Sequence, residues 1–163
     1  MGEQDKKAIT YISYLKVDEL LELQQPESDG EHDEMLFIII HQTYELWFKQ
    51  MLHEIAEVQK TLEAGKSHRS LAILGRVRTI MKTCVSQLDI LETMTPLQFN
   101  TFRGRLQSSS GFQSAQFREF EAVLGRRDQA GAGAEKHTGM GMAEHLIEGS
   151  PARARVEAAM KRR

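Results

Sequence analysis

The segment Met35-Leu36-Phe37-Ile38-Ile39-Ile40-His41-Gln42-Thr43-Tyr44-Glu45-Leu46-Trp47-Phe48 holds the residues whose types and spacing point most directly to chemistry. Its six consecutive apolar residues, Met35 to Ile40, occupy every side of a helix, which predicts burial on all faces, and His41 lies one turn beyond Phe37. An imidazole buried without a charge partner stays neutral, with one nitrogen to donate and one to accept. His41 then reads as a core histidine bonded to a backbone carbonyl. Paired with Glu45 at i,i+4 it also reads as two ligands of one metal, but no second Glu-x-x-His pair exists to complete a diiron site, so no metal ligand is assigned.

A second candidate is Arg103, followed seven residues later by the break Ser110-Gly111 with its hydroxyls and exposed N–H groups. A guanidinium beside such donors is suited to a carboxylate, which it grips through a two-pronged fork, and equally suits a surface arginine next to a loop. Tyr11, Tyr14 and Leu15 form a small cluster ahead of the first helix and, alone, resemble packing residues.

The elements that must position these groups are helical. Pro26, Pro96 and Pro151 each fall where a helix should begin or end. Leu15, Val17, Leu20, Leu21 and Leu23 predict a short first helix. A long second helix over about 33–64 carries Leu36, Ile40, Tyr44, Trp47, Met51 and Ile55 at steps of three and four and stops at Gly65. The third, over about 67–94, bears the stripe Leu71, Leu74, Val77, Met81, Cys84, Val85, Leu88 and Leu91, and the short Gly65-Lys66 joint sets it antiparallel to the second. Thr95-Pro96-Leu97-Gln98 reads as a capping box with proline at the first helical position, opening a fourth helix to about 106. A fifth runs from about 113 to 124, with Gly125 as its stop. No alternating strand pattern and no repeat is present, so the expected class is all-α, a bundle of about five helices.

Composition narrows the functional classes. A chain of 163 residues, 40% hydrophobic and 27% charged, has room for one globular domain. Lys and Arg total 21 against 23 acidic residues, for a net charge of −2, which argues against nucleic acid as a partner. The lone Cys84 makes no internal disulfide and no CxxC spacing, favouring a reducing, cytoplasmic setting. The first residues lack the apolar core of a signal peptide, Lys6 stands where a myristoylation motif requires Ser or Thr, and Met35–Ile40 is too short to span a bilayer, so no membrane association is expected. The composition changes at Gly125. Residues 1–125 read as the helical domain, 126–149 as a Gly/Ala-rich linker or disorder, and 150–163 as a short basic helix. With 8 basic and 5 acidic residues, the part from 126 onward carries a net +3.

Taken in order, Tyr11-Ile12-Ser13-Tyr14-Leu15, His32-Asp33-Glu34-Met35-Leu36-Phe37 through His41-Gln42-Thr43-Tyr44-Glu45-Leu46-Trp47, Leu91-Glu92-Thr93-Met94-Thr95-Pro96, Phe102-Arg103, and Ser109-Ser110-Gly111-Phe112-Gln113-Ser114 with Gln116-Phe117-Arg118 resemble the tryptophan 2,3-dioxygenase family over about residues 11–127. The resemblance implies an all-helical haem enzyme, a homotetramer, that oxidises L-tryptophan with dioxygen to N-formylkynurenine in the kynurenine pathway of tryptophan catabolism. It implies haem b as the cofactor, His41 as the distal histidine facing the indole N–H, Phe37 as a wall of the indole pocket and Arg103 as the partner of the substrate carboxylate. Phe99 would occupy a pocket position where the family has Tyr or Phe, and Ser110 and Gly111 would lie against the haem edge. Tyr11, Tyr14 and Leu15 would complete a neighbouring subunit's pocket. The family's proximal histidine lies in a C-terminal part to which residues 126–163 show no resemblance, so the chain reads as a fragment, a truncated paralogue or the product of a reading-frame break. The alternative function is a non-catalytic helical module that self-associates or pairs with an intact homologue.

Overall fold

The computed structural model describes residues 8–107, 109 and 113–126, and within them every regular element is helical. In chain order these are α1 (Tyr11–Leu15), α2 (Val17–Leu21), α3 (His32–Glu63), α4 (Ser67–Leu91), α5 (Pro96–Arg103), a 3-10 turn (Gly104–Leu106) and α6 (Ala115–Val123). The linker and basic helix expected beyond residue 126 lie outside the described residues.

A hairpin of α3 and α4 is the frame. Its cross-links join the end of α3 to the start of α4 and the earlier part of α3 to the later part of α4, as an antiparallel pair must: Thr61 Oγ1 with Ser70 Oγ at 2.7 Å, Glu57 with Arg69 at 3.3 Å, Glu54 with Arg76 at 2.7 Å and the Tyr44 hydroxyl with the Cys84 carbonyl at 2.9 Å. The joint is a glycine-terminated helix end. Gly65 adopts φ +69°, its N–H donates to the Leu62 carbonyl and the Lys66 N–H to the Thr61 carbonyl, satisfying two carbonyls that α3 would otherwise leave open. Gly125 ends α6 in the same way, with φ +101° and with Arg126 N–H on the Glu121 carbonyl.

Met51 and Ile55 of α3, Val77 and Ile80 of α4 and Phe120 of α6 form the core, with Trp47 and Phe48 packed against it. Here the structure corrects the expected stripe of α4. Its core face is Ser70-Ile73-Val77-Ile80, whereas Leu71, Leu74, Met81, Val85 and Leu88 are exposed. Helix α4 carries apolar residues on two faces, and the face turned inward is the one whose flanks make the ion pairs and the hydroxyl bond to α3.

Two other expectations are revised. The first helix is two, because Thr10 opens α1 early through a reciprocal cap with Ser13 and Lys16 then takes a left-handed conformation, φ +55°. Neither short helix buries a residue, so no packing enforces continuity across Lys16. The Met35–Ile40 run is not surrounded: Ile40 is buried, but Met35 and Ile39 are exposed, since the described residues cover only part of the circumference of α3 there. The expected capping box does form, with Thr95 N–H on Gln98 Oε1 at 2.8 Å, Gln98 N–H on Thr95 Oγ1 at 3.3 Å, and Pro96 at the start of α5.

Candidate functional site

The middle of α3, the far half of α4 and the start of α6 enclose a cleft of about 690 Å³. Its walls are largely apolar, with Phe37, Phe48, Met51, Met81, Val85 and Phe117 among them, and His41 is the histidine among the described residues that lines it. The size and character are those of a small-molecule site, in which a few polar groups orient a ligand held by apolar walls.

His41 is fixed by its own helix. Nδ1 lies 2.7 Å from the Phe37 carbonyl oxygen, one turn back. A carbonyl can only accept, so the proton is on Nδ1, and in the neutral ring Nε2 is left as an acceptor. The Phe37 ring sits against the imidazole with centroids 4.1 Å apart and sets its tilt. His41 is thus bonded to a backbone carbonyl and at the same time faces the cleft. Glu45 is engaged elsewhere. The Gln116 side-chain amide donates to its carbonyl at 2.9 Å and to its carboxylate at 2.8 Å, tying α6 to α3 across the cleft mouth.

Phe37 also reaches α5. Its ring lies 5.6 Å from Phe99 and 5.7 Å from Phe102, which is fully buried, so three aromatic rings bring the helix carrying Arg103 against the helix carrying His41. Arg103 itself is half-buried and does not line the cleft; its Nη1 donates to the Gln107 carbonyl at 3.1 Å. Gln107 adopts φ +49°, sparsely populated for a side-chain-bearing residue, so that carbonyl is held in place against local strain. Tyr11, Tyr14 and Leu15 are exposed on α1 and reach neither the cleft nor Arg103 in this chain. Ser110 and Gly111 lie outside the described residues.

Tyr44, Gln116 and Glu34 belong to motifs visible in the sequence, yet their contacts are not. Burial, and secondarily the nearby Cys84, raise the Tyr44 phenol above its ordinary value, so it remains a donor to the Cys84 carbonyl. Burial likewise raises the Cys84 thiol, which faces the cleft in its neutral form. Glu34, in the first turn of α3, is held entirely by the loop that precedes it. Its signal in the sequence is a glutamate in a first helical turn, which is too common to single it out.

The tryptophan 2,3-dioxygenase family model matches residues 2–143. The chain is 54% identical over 153 residues to a tryptophan 2,3-dioxygenase of Anaeromyxobacter sp. (strain K), covering 94% of this chain and 53% of that protein. It is 60% identical over 125 residues to that of Herpetosiphon aurantiacus, with 76% and 48% covered, and 50% identical over 133 residues to that of Dictyostelium discoideum, with 76% and 33% covered. The chain thus spans about half the length of the curated bacterial relatives it matches. The similarity also extends past residue 127, beyond the stretch of about 11–127 over which the motifs resemble the family.

Proposed function

The chain belongs to the tryptophan 2,3-dioxygenase family, and from that premise we propose that it contributes the indole-facing half of a site that oxidises L-tryptophan with dioxygen to N-formylkynurenine. The observation that carries the proposal is the His41 ring, whose Nδ1 is committed to the Phe37 carbonyl so that Nε2 is the acceptor available to an indole N–H. Phe37 and Phe99 supply aromatic walls for the indole. Arg103 supplies the cation for the substrate carboxylate, exchanging the neutral Gln107 carbonyl for a charged partner.

The cofactor of the proposal is haem b, which supplies the dioxygen chemistry when bound. The cleft fits it in two respects: apolar walls suit a macrocycle's faces, and the volume is of the right order. The described walls of the cleft contain one imidazole, assigned here to the indole, so a histidine to hold the iron would have to come from elsewhere. Ser110 and Gly111 would border the haem edge. Tyr11, Tyr14 and Leu15, exposed here, would act in a neighbouring subunit of a cytoplasmic homotetramer, which accounts for three apolar side chains standing clear of their own chain.

The test is a pair of variants, assayed in this chain alone and co-expressed with the remaining half of the Anaeromyxobacter relative. Arg103→Ala should weaken tryptophan binding by roughly 2–5 kcal/mol, as loss of a charged partner from a buried pair does. His41→Ala should spare affinity and lower kcat on the order of 10- to 1,000-fold, the effect of one lost positioning group. If Arg103→Ala left affinity intact while His41→Ala abolished it, the assignment of roles would be wrong. The isolated chain should show a weak Soret band on haem addition and little turnover; a stoichiometric band with efficient turnover would show that the chain supplies the missing ligand itself.

A further inference from the structure

Glu34 is a buried carboxylate that the proposed chemistry does not use. It is 1% exposed, and its oxygens are taken up by the loop ahead of α3: Oε1 accepts the Glu27 N–H at 2.9 Å, and Oε2 accepts the Ser28 N–H at 2.9 Å and the Ser28 hydroxyl. Burial pushes its carboxyl up, but the Ser28 hydroxyl, the two backbone N–H groups and the Arg105 charge outweigh burial and hold it below the usual glutamate range. The carboxylate therefore stays charged and fixes the conformation of residues 27 and 28.

From this loop the contacts continue toward the site. The Glu27 carbonyl faces Arg105 Nη1 at 3.5 Å, and Arg105 lies in the 3-10 turn, two residues beyond Arg103. Helix α5 and its turn are thus attached to α3 in two unlike ways. The Phe37, Phe99 and Phe102 rings hold the body of the helix, and apolar contact of this kind has little directionality. The Arg105 contact is polar, a long bond to the Glu27 carbonyl joined by the attraction of its charge to the Glu34 carboxylate, and it lies at the end of the element from which Arg103 projects.

We propose that Arg105, held by the Glu27 carbonyl that Glu34 clamps in place, is a positioning residue for Arg103 and sets how strongly the site prefers an indole ligand bearing a carboxylate over one without it. The inference rests on the reading of Arg103 as the carboxylate partner. Arg105 is exposed and does not line the cleft, so it acts through the turn and not on the ligand.

The test uses the 163-residue chain and two probes, L-tryptophan and tryptamine, which share the indole and the amine and differ in the carboxylate. Affinities come from NMR titration, and Ser28 amide hydrogen exchange reports whether the clamp is intact. Arg105→Ala should lower the tryptophan-to-tryptamine affinity ratio about three- to tenfold, the scale of one hydrogen bond, without changing tryptamine affinity or Ser28 protection. Arg105→Lys, able to reach the same carbonyl, should recover part of the ratio. Glu34→Gln should lower both the ratio and Ser28 protection; if that variant does not fold, Ser28→Ala should do the same to a smaller degree. An unchanged ratio in Arg105→Ala, with the ratio lost in Arg103→Ala, overturns the positioning role alone. Equal weakening of both probes by Arg105→Ala also overturns it, as a general structural effect. A wild-type chain with no preference for tryptophan defeats the reading of Arg103, and this inference with it.

Discussion

Replacing Phe102 with alanine should detach α5 from the bundle while leaving the α3/α4 hairpin folded. Phe102 is fully buried and sits edge-on to Phe99 and Phe37, with centroids 5.4 and 5.7 Å away. Truncating a core phenylalanine removes its transfer free energy and leaves a cavity, for about 3–5 kcal/mol, of which each aromatic pair contributes about 0.5–1.5 kcal/mol. An eight-residue helix has little stability of its own, so this loss falls on the local docking of α5 before it reaches the whole chain. The hairpin keeps its own core around Met51, Ile55, Val77 and Ile80, and Trp47 packs against that core and reports on it. Native-state hydrogen exchange should therefore show the backbone amides of Phe99 to Arg103 losing about 3 kcal/mol of protection, roughly a hundredfold in the opening equilibrium. The urea midpoint followed by Trp47 fluorescence should move by less than about 1 kcal/mol equivalent. Wild-type protection of the α5 amides in Phe102→Ala would refute the claim that this ring docks the helix. A loss shared equally by α5 and the hairpin would refute the claim that the two open separately.

Three further outcomes are expected. The Glu34 carboxyl lies below its ordinary value in the folded chain, so its contribution to stability is complete above the unfolded glutamate value of about 4.3 and is lost as pH falls below that toward the folded value; urea midpoints measured from pH 7 to pH 3 should fall on acidification, and Glu34→Gln should flatten that limb. Thr95→Ala removes the cap of α5 and should lower its stability by about 1 kcal/mol, read as reduced amide protection in Gln98 and Phe99 with no change in α4. Light scattering at micromolar concentration should show association, because Tyr11 (75% exposed), Tyr14 (73%), Leu71 (65%) and Val85 (64%) present apolar surface on two sides of the described chain, and a clean monomer would count against it.

What was legible in the sequence was local. The capping box at Thr95, the glycine stops at Gly65 and Gly125 and the spacing along α3 each depend on residues within one or two turns, and all three are found. The phase of α4 was not legible, since both of its apolar stripes satisfy a helical period. The face that turns inward is the one that meets α3, where Glu54 pairs with Arg76 and Thr61 with Ser70, contacts that a helical period in α4 does not display. Lys16 carries no mark of the break it makes, because neither glycine nor proline is present and the cause is missing packing. Phe37 packs against both His41 and Phe99, but Phe99 and Arg103, both on α5, do not line the cleft. The bond from Gln116 to Glu45 joins positions 71 residues apart, and no local pattern announces such a pair.

The distribution of contacts along the first half of α3 explains why so much of the motif lies there. Within about three turns, Glu34 holds the preceding loop, Phe37 packs α5, His41 turns its ring by bonding back to Phe37, Gln42 grips the Leu23 carbonyl and the Gln24 side chain, Tyr44 anchors α4 and Glu45 receives α6. All of these but His41 fasten another part of the chain to one rigid rod, so five attachments made at fixed angular steps shape the cleft and its surroundings. A substitution at any of them displaces a wall or a loop even where the side chain never meets a ligand. Further along α3 the buried positions Ile55 and Val58 serve the core alone, where residues of similar size and polarity can replace one another at modest cost. In the first half, hydrogen bonding and ring geometry, and not only volume, are specified.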